Sequence, residues 1–146
     1  MGNWLYLIAA AAAGVLMAVQ GSLNGALSKV IGVLEGNFIL HSVGLAVVAA
    51  LLFLCGLGRG DLSRAGEAPW YLYLGGVINV AIIYGVMLAI SHVGAGNATT
   101  AIILGQLTMA LIVDRFGLFG LTQVEMTWTR GLGLALMVLA AKLMLT

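Results

Sequence analysis

The chain has 146 residues, of which 62% are hydrophobic and only 8% are charged, and its formal net charge is +1. Soluble domains carry charges on roughly a quarter of their residues, so this chain has too few polar residues to cover a surface that faces water. The small net charge also argues against a nucleic-acid partner. We therefore expect the lipid bilayer to be the solvent of this protein.

Five apolar stretches together occupy most of the chain. A helix needs about 20 residues to cross a hydrocarbon core ~30 Å thick, and the stretches are close to that length. In lipid, backbone N–H and C=O groups must be satisfied within the segment, which favours helix. The sequence therefore predicts an all-α integral membrane protein with one domain over residues 1–146 and five transmembrane helices, at approximately residues 3–31, 36–56, 70–91, 95–113 and 128–145.

The predicted first helix begins with interfacial side chains at residues 3–6 and runs past its apolar part into a more polar segment. That segment keeps a helical pattern but carries Gln20 and Asn24. Gly21 and Gly25 form a small-xxx-small pair, the spacing at which membrane helices approach each other closely. No basic region precedes the apolar stretch, as one would in a signal peptide, so we expect a true span.

The second and third predicted helices also carry polar groups in apolar surroundings. His41 lies in the second helix, and Asn79 and Tyr84 lie in the third. The stretch between these helices, LGRGDLSRAGEAPW, is the most polar in the chain and predicts a solvent loop. Pro69 near its end is suited to the start of a helix.

The fourth predicted helix follows a Gly-rich link and carries Gln106 near its middle. A second polar loop, DRFGLFGLTQVEMTWTR, precedes the fifth helix. Cys55 is the single cysteine and lies in an apolar run, so we expect a packed thiol rather than half of an intramolecular disulfide.

The distribution of basic residues favours, by a small margin, an N-terminus on the inside. With five spans, the N-terminus and the loops at residues 57–69 and 114–130 lie on one side of the membrane. That side has four basic residues and the other has two, and the positive-inside rule places the richer side in the cytoplasm. So weak a bias also permits insertion in both orientations, and hence an antiparallel dimer. The two sets are Arg59, Arg64, Arg115 and Arg130 against Lys29 and Lys142.

Polar side chains inside a membrane are costly and point to a functional site. The candidates we place in a substrate site are Gln20, Asn24, His41, Asn79, Tyr84 and Gln106. The alternative is that these side chains only hydrogen-bond between helices, and His41 fits helix packing as well as it fits proton transfer. No carboxylate lies in mid-span, which argues against cation–proton exchange through an acidic residue.

Enzymatic activity is not expected from this sequence. The two histidines lie on different segments without metal-ligand spacing. The chain contains neither the GxSxG nor the HExxH pattern. We therefore expect no catalytic residue, no metal site and no cofactor.

Several segments together resemble the YdcZ family of the drug/metabolite transporter superfamily. They are QGSLNGALSKVIG, the long segment LYLGGVINVAIIYGVMLAISHVGAGNATTAIILGQLTMALIVDRFGLFG, and TRGLGLALMVLAAKLML. The most specific parts are Gln20 with Asn24, the Gly75–Gly76 pair, GQLTMALIVDRFG and the Arg130–Gly131 start of the last helix.

The resemblance implies a multi-pass transport protein of the bacterial cytoplasmic (inner) membrane. Larger superfamily members have ten helices in two inverted halves, and a five-helix chain resembles one half. A homodimer, with antiparallel subunits in a dual-topology protein, would rebuild the pathway. Gln20, Asn24 and Gln106 fall in the family's polar motifs, whereas residues 35–37 and His41 are more polar than the family pattern.

Two functions remain open at this stage. The first is a homodimeric transporter of a small polar or amphipathic metabolite that works by alternating access, with the six candidate residues around its substrate. The second is a non-transporting membrane subunit, or a half-transporter that needs a different, inverted partner. In that case the polar residues serve only packing.

Overall fold

The structure is a computed structural model that describes the backbone of residues 2–145 and the side chains of residues 4–145. Met1, Thr146 and the side chain of Asn3, which the sequence assigned to the domain and its interfacial start, lie outside the described residues. The described backbone forms five α-helices: α1 (Gly2–Ile31), α2 (Val33–Ala49), α3 (Leu74–Val93), α4 (Ala95–Phe116) and α5 (Trp128–Leu145). With their flanking turns, all five are long and apolar enough to cross a membrane. The predicted fold class is confirmed.

The ends of α2, α3 and α4 differ from the predicted ranges by a few residues. A single residue, Gly32, separates α1 from α2, where the sequence suggested a longer turn. Its φ of 97° lies in a region that L side chains rarely adopt, so glycine permits this tight turn. At the other end of α2 the chain continues as one π-helical turn, Ala50–Leu54. A 3₁₀ turn, Trp70–Tyr73, precedes α3.

The helices form two compact units, which we call the first unit (Met1–His92, with α1, α2 and α3) and the second unit (Val93–Thr146, with α4 and α5). Within each unit few side chains are buried, and most large apolar side chains lie on the surface. Such a surface is suited to lipid, whose acyl chains are as apolar as the side chains that they cover.

Glycines bring the three helices of the first unit into close contact. A Cβ atom at Gly25 of α1 would lie 2.6 Å from Cγ2 of Ile90 on α3, and one at Gly21 would lie 2.9 Å from Cδ1 of the same residue. On α2, a Cβ atom at Gly36 would lie 2.6 Å from Cε of Met87. The Gly21–Gly25 pair is therefore the surface of α1 on which α3 packs, as expected of a small-xxx-small pair.

The polar loop between α2 and α3 is held by local hydrogen bonds. Asp61 accepts hydrogen bonds from the hydroxyl of Ser63 (2.7 Å) and from its backbone N–H (2.9 Å) at the start of a 3₁₀ turn, Leu62–Glu67. These hydrogen bonds lower the pKa of Asp61 below its ordinary value of 3.8, and the bond from the Ser63 hydroxyl has the larger effect. Arg64 pairs with Glu67 at 2.8 Å on the surface, and this hydrogen bond raises the pKa of Arg64.

In the second unit, α4 and α5 carry small buried residues and are tied at one end by polar contacts. Ala98 and Ala141 are buried. Where α4 ends, Arg130 at the start of α5 pairs with Asp114 at 3.5 Å. In the connecting loop, the backbone N–H of Val124 donates to the Asp114 carbonyl oxygen at 2.8 Å.

Candidate functional site

The buried polar side chains of the described residues all lie on the two helices that flank the Gly32 turn. They are Asn24 and Ser28 on α1 and Asn37 on α2. On α1, Asn24 and Ser28 share a face with the glycines that contact α3, since residues three and four apart are neighbours on a helix. The Ser28 hydroxyl donates to the Gly25 carbonyl oxygen of its own helix, 2.8 Å away. The Asn24 carboxamide has no hydrogen-bond partner among residues 4–145.

Among the described side chains of the first unit, Asn37 is the most buried polar one, with only 1% of its surface exposed. Its Nδ2 donates to the backbone carbonyl oxygen of Val80 on α3, at 2.8 Å. This orientation of the carboxamide follows from its partner, because a carbonyl oxygen can only accept. The other end of the group, Oδ1, is buried and has no hydrogen-bond partner among the described residues. A buried acceptor without a partner is rare and calls for a physical explanation.

His41 lies one helical turn after Asn37 and continues the same series of hydrogen bonds. Its Nδ1 is 2.9 Å from the backbone carbonyl oxygen of Asn37, so Nδ1 carries the hydrogen and donates. In the neutral imidazole, Nε2 is then an acceptor. The Nδ2 atom of Asn79, on α3, lies 3.1 Å from Nε2 and donates to it. Both ring nitrogens of His41 are thus occupied within the first unit.

We call Asn37, His41, Asn79 and the Val80 carbonyl the α2–α3 polar cluster. Its hydrogen bonds connect two membrane-spanning helices, from positions about one to two turns into α2 to the middle of α3. Hydrogen bonds of this kind between membrane helices each contribute about 0.6 to 2 kcal/mol. The cluster therefore holds α2 against α3, and it also places carboxamide groups where lipid offers no hydrogen-bond partner.

Of the six site residues suggested by the sequence, the structure brings His41 and Asn79 into contact. Asn24 is buried on the α1 face beside Gly25. Gln20 and Tyr84 also belong to the first unit but are exposed on its surface. Their side chains have no hydrogen-bond partner among residues 4–145.

Gln106, the sixth of these residues, belongs to α4 in the second unit. Its carboxamide is exposed and likewise has no partner among the described residues. Thr108, two residues later, donates to the Leu104 carbonyl oxygen of its own helix at 2.7 Å.

Asn37 is the residue that the sequence did not single out as a site residue. In the sequence it belongs to a segment, residues 35–37, that is more polar than the family pattern. The useful signal was its spacing from His41, because residues four apart on a helix lie on one face. An amide and an imidazole on the same face of an apolar helix predict polar partners on the helix that packs against that face.

The second unit has a separate, apolar depression. Its volume is about 190 Å³, and its lining includes Leu111, Ile112, Phe116 and Leu134, with Arg115 at the edge. None of the six predicted site residues lines this depression. It offers little to a polar ligand.

The described residues contain no group of three or more histidine, cysteine, aspartate or glutamate side chains that could hold a metal ion. The chemistry that the α2–α3 polar cluster offers is hydrogen bonding by neutral amide and imidazole groups.

A comparison with protein families gives one match, which covers nearly the whole chain. The family is described as "Putative inner membrane exporter, YdcZ", and its model matches residues 5–143. No curated protein and no solved structure matches the chain.

Proposed function

The chain belongs to the YdcZ family of inner membrane exporters, and on that premise we propose that it transports a small polar or amphipathic metabolite as a homodimer, by alternating access. It is a multi-pass membrane protein with five helices that can span the bilayer. The family is one of exporters rather than of enzymes. Substrate class, assembly and mechanism are our proposal.

The observation that carries this proposal is the α2–α3 polar cluster. Three neutral polar side chains, Asn37, His41 and Asn79, meet between two apolar helices. Ionisable and polar groups inside membrane helices are costly, and they commonly mark substrate and ion pathways. Since these groups are carboxamides and an imidazole, they suit a polar neutral or zwitterionic ligand better than a strong cation.

A second copy of the chain would explain the exposed polar side chains. Gln20 and Gln106 lie on membrane-spanning helices, are exposed, and have no partner among the described residues. An amide that faces hydrocarbon without a partner costs several kcal/mol, on the order given for unsatisfied polar groups. In a homodimer these amides would face the other copy or the substrate instead of lipid.

Alternating access requires that helices shift around a central site. Short glycine junctions support this part of the proposal. Gly94 precedes α4 with a φ of 83° and has open space around it. A residue with such freedom absorbs changes in backbone angles at low cost.

Transport is tested with purified protein in sealed vesicles that are incubated with an extract of small bacterial metabolites. Mass spectrometry of the vesicle contents should show at least one metabolite that enters faster than into empty vesicles. Gln20→Ala and Gln106→Ala should slow that entry. If both variants transport as the parent does, these two residues do not belong to the substrate pathway.

Orientation is tested with a single cysteine in the polar loop. Gly66→Cys in a Cys55→Ser background adds a thiol at an exposed position with open space around it. Labelling of about half of the molecules by an impermeant reagent in sealed cells would support dual topology and an antiparallel homodimer. Labelling of all or none would show one fixed orientation.

A fixed orientation would favour the second candidate function. The basic residues of the predicted loops are biased four to two towards one side, which favours a single orientation. The chain would then be a half-transporter with a different, inverted partner, or a non-transporting subunit. If the chain is a non-transporting subunit, vesicles that contain the purified protein would accumulate no metabolite.

A further inference from the structure

We propose that the α2–α3 polar cluster is a hydrogen-bond-accepting site that takes the primary ammonium group of a zwitterionic ligand, with Asn37 Oδ1 as its innermost acceptor. This inference rests on the proposed transport function and specifies its substrate class. It uses Asn37, a residue that neither the sequence patterns nor the family match assigns to a site.

The direction of the hydrogen bonds fixes what the cluster offers. Two backbone carbonyl oxygens, of Val80 and Asn37, can only accept, so Asn37 Nδ2 and His41 Nδ1 must donate to them. With the hydrogen of the ring on Nδ1, Nε2 accepts, and Asn79 donates to it through Nδ2. The oxygen atoms that remain without a partner are Oδ1 of Asn37 and Oδ1 of Asn79. Both are acceptors, so the ligand must supply the donors.

The two oxygens differ in depth. Asn37 Oδ1 is buried within the first unit, whereas Asn79 is an exposed residue on α3. In our proposal Asn79 is therefore the outer acceptor and Asn37 the inner one. A primary ammonium has several N–H donors on one atom, which suits a site that presents acceptors along its path.

The packing around Asn37 can adapt to a ligand. Met87, which is fully buried, has its terminal Cε beside Gly36, the residue before Asn37. Methionine is unbranched and flexible, and it fills irregular space that can be vacated by rotamer changes. Movement of Met87 would open room beside Gly36, one residue before Asn37, without moving a helix backbone.

Charge decides between an amine and a zwitterion. Glu35 is the only carboxylate on α2; it is exposed, and its Oε2 lies over Gly32 at the turn. The cluster itself contains no carboxylate. An ammonium buried there without a counter-charge would be strongly disfavoured, so the ligand must carry its own negative group.

The test uses a series of zwitterions in which only the N–H donors change. The probes are glycine, N-methylglycine, N,N-dimethylglycine and trimethylglycine; each methyl group removes one N–H and leaves both charges in place. Binding of each radiolabelled probe to the purified full chain in detergent is measured near neutral pH. We expect binding to weaken along the series, by about tenfold overall or more, since hydrogen bonds to charged donors are the stronger class.

Asn37→Leu removes the buried acceptor while it keeps a side chain of similar size. We expect this variant to lose the preference for glycine over trimethylglycine. The matched control is Ser42→Ala on the same helix, because Ser42 donates only to the Phe38 carbonyl oxygen of its own helix, at 2.9 Å. This control should keep the preference.

Three results would overturn the proposal: no binding of glycine, equal binding of all four zwitterions, or an unchanged preference in a folded Asn37→Leu variant. If that variant does not fold, the four zwitterions are compared on the parent chain and on Asn79→Leu instead. An unchanged preference for glycine in Asn79→Leu would then overturn the proposal. The proposed function fails separately. Binding with the expected preference but no uptake into vesicles would contradict transport alone, and transport of other metabolites without any preference for N–H donors would contradict the site alone.

Discussion

The two units of this protein use polar side chains in opposite ways. In the first unit, hydrogen bonds between helices lie within the spans, where Asn37 meets Val80 and His41 meets Asn79. In the second unit, the ion pair between Asp114 and Arg130 lies where α4 ends and α5 begins. Of the described residues in the second unit, the buried ones are the small apolar Ala98 and Ala141.

The two kinds of polar contact differ in their cost. Contacts at helix ends are easily accounted for by folding, whereas contacts within the spans require a reason for their cost in lipid. Polar side chains at helix ends reach water, and there they can also hydrogen-bond the backbone C=O and N–H groups that have no partner within the helix. Groups in mid-span have no such access and increase the cost of placing the helix in lipid. In the second unit, the amide of Gln106 on α4 is exposed and makes no hydrogen bond to α5 among the described residues. The amides that join α2 to α3 are thus a feature of the first unit alone, and our proposal gives them a role beyond helix packing.

The largest expected effect concerns the glycine contact that brings α1 onto α3. Gly25→Ala would place Cβ 2.6 Å from Cγ2 and 3.1 Å from Cβ of Ile90. Isoleucine is stiff at χ1 in a helix and cannot turn away easily. We expect a loss of about 1 to 3 kcal/mol in stability, the range for overpacked sites, measured as a lower unfolding temperature in detergent.

Gly14→Ala is the matched control for this substitution. It lies on the same helix, and an added Cβ there meets no atom within 4 Å. Alanine in place of a helical glycine should stabilise by about 0.5 to 1 kcal/mol. The double variant Gly25→Ala with Ile90→Ala should recover part of the loss; an equal response at residues 14 and 25 would contradict the contact.

A smaller effect on stability is expected for Asn79→Leu. The change removes the donor to His41 Nε2, and a single hydrogen bond between membrane helices contributes about 0.6 to 2 kcal/mol. Denaturation of the purified variant measures the loss. A change of several kcal/mol would mean that the cluster is chiefly structural, and the contrast between the two units would then be wrong.

The ion pair of the second unit should contribute still less. Asp114 and Arg130 side chains are 43% and 39% exposed, so solvent screens their attraction, and such pairs contribute about 0.2 to 1 kcal/mol. Each charge also lies at the helix end that disfavours it, with the acid at a C-terminus and the base at an N-terminus.

Each single variant, Asp114→Asn or Arg130→Gln, already removes the whole attraction between the two charges. The double variant should therefore lose less stability than the two single losses added together. A double-mutant cycle on the unfolding temperature measures this coupling. A coupling indistinguishable from zero would remove the ion pair from the contacts that hold α4 to α5.

The smallest expected effect is a pKa change in the polar loop between α2 and α3. Asp61 has its pKa lowered by the Ser63 hydroxyl and then by the Ser63 N–H. A lowered pKa in the folded loop means that this contact stabilises above the unfolded pKa and is lost as pH falls through the folded pKa. Ser63→Ala removes the hydroxyl but keeps the N–H, so the pKa of Asp61 should rise part of the way towards 3.8. An NMR titration of the Asp61 carboxyl group measures this, and an unchanged pKa would contradict the contact.

The sequence predicts the helices well because the bilayer leaves few alternatives. Apolar length and the need to satisfy backbone groups in lipid specify the spans, and glycine spacing identifies the face of α1 that meets α3. The turn at Gly32 was harder to predict, since its single residue depends on one unusual backbone angle.

The candidate site was predictable only in part. His41 and Asn79 stand out as polar residues in apolar helices, but their contact depends on how α2 packs on α3, which hydropathy does not specify. Asn37 was overlooked because it lies close to a turn, where polar residues are common. The roles of Gln20 and Gln106 depend on what contacts their exposed side chains, and the structure of a single chain does not contain that information.

The most direct test of the contrast between the units is metabolite entry into sealed vesicles for two variants. Asn79→Leu alters the mid-span cluster of the first unit, and Asp114→Asn alters the ion pair at the helix ends of the second. For equal amounts of folded protein, entry should fall at least about tenfold with Asn79→Leu, a loss of ~1.4 kcal/mol, and should change little with Asp114→Asn. Equal entry for the two variants would contradict a transport role for the α2–α3 polar cluster.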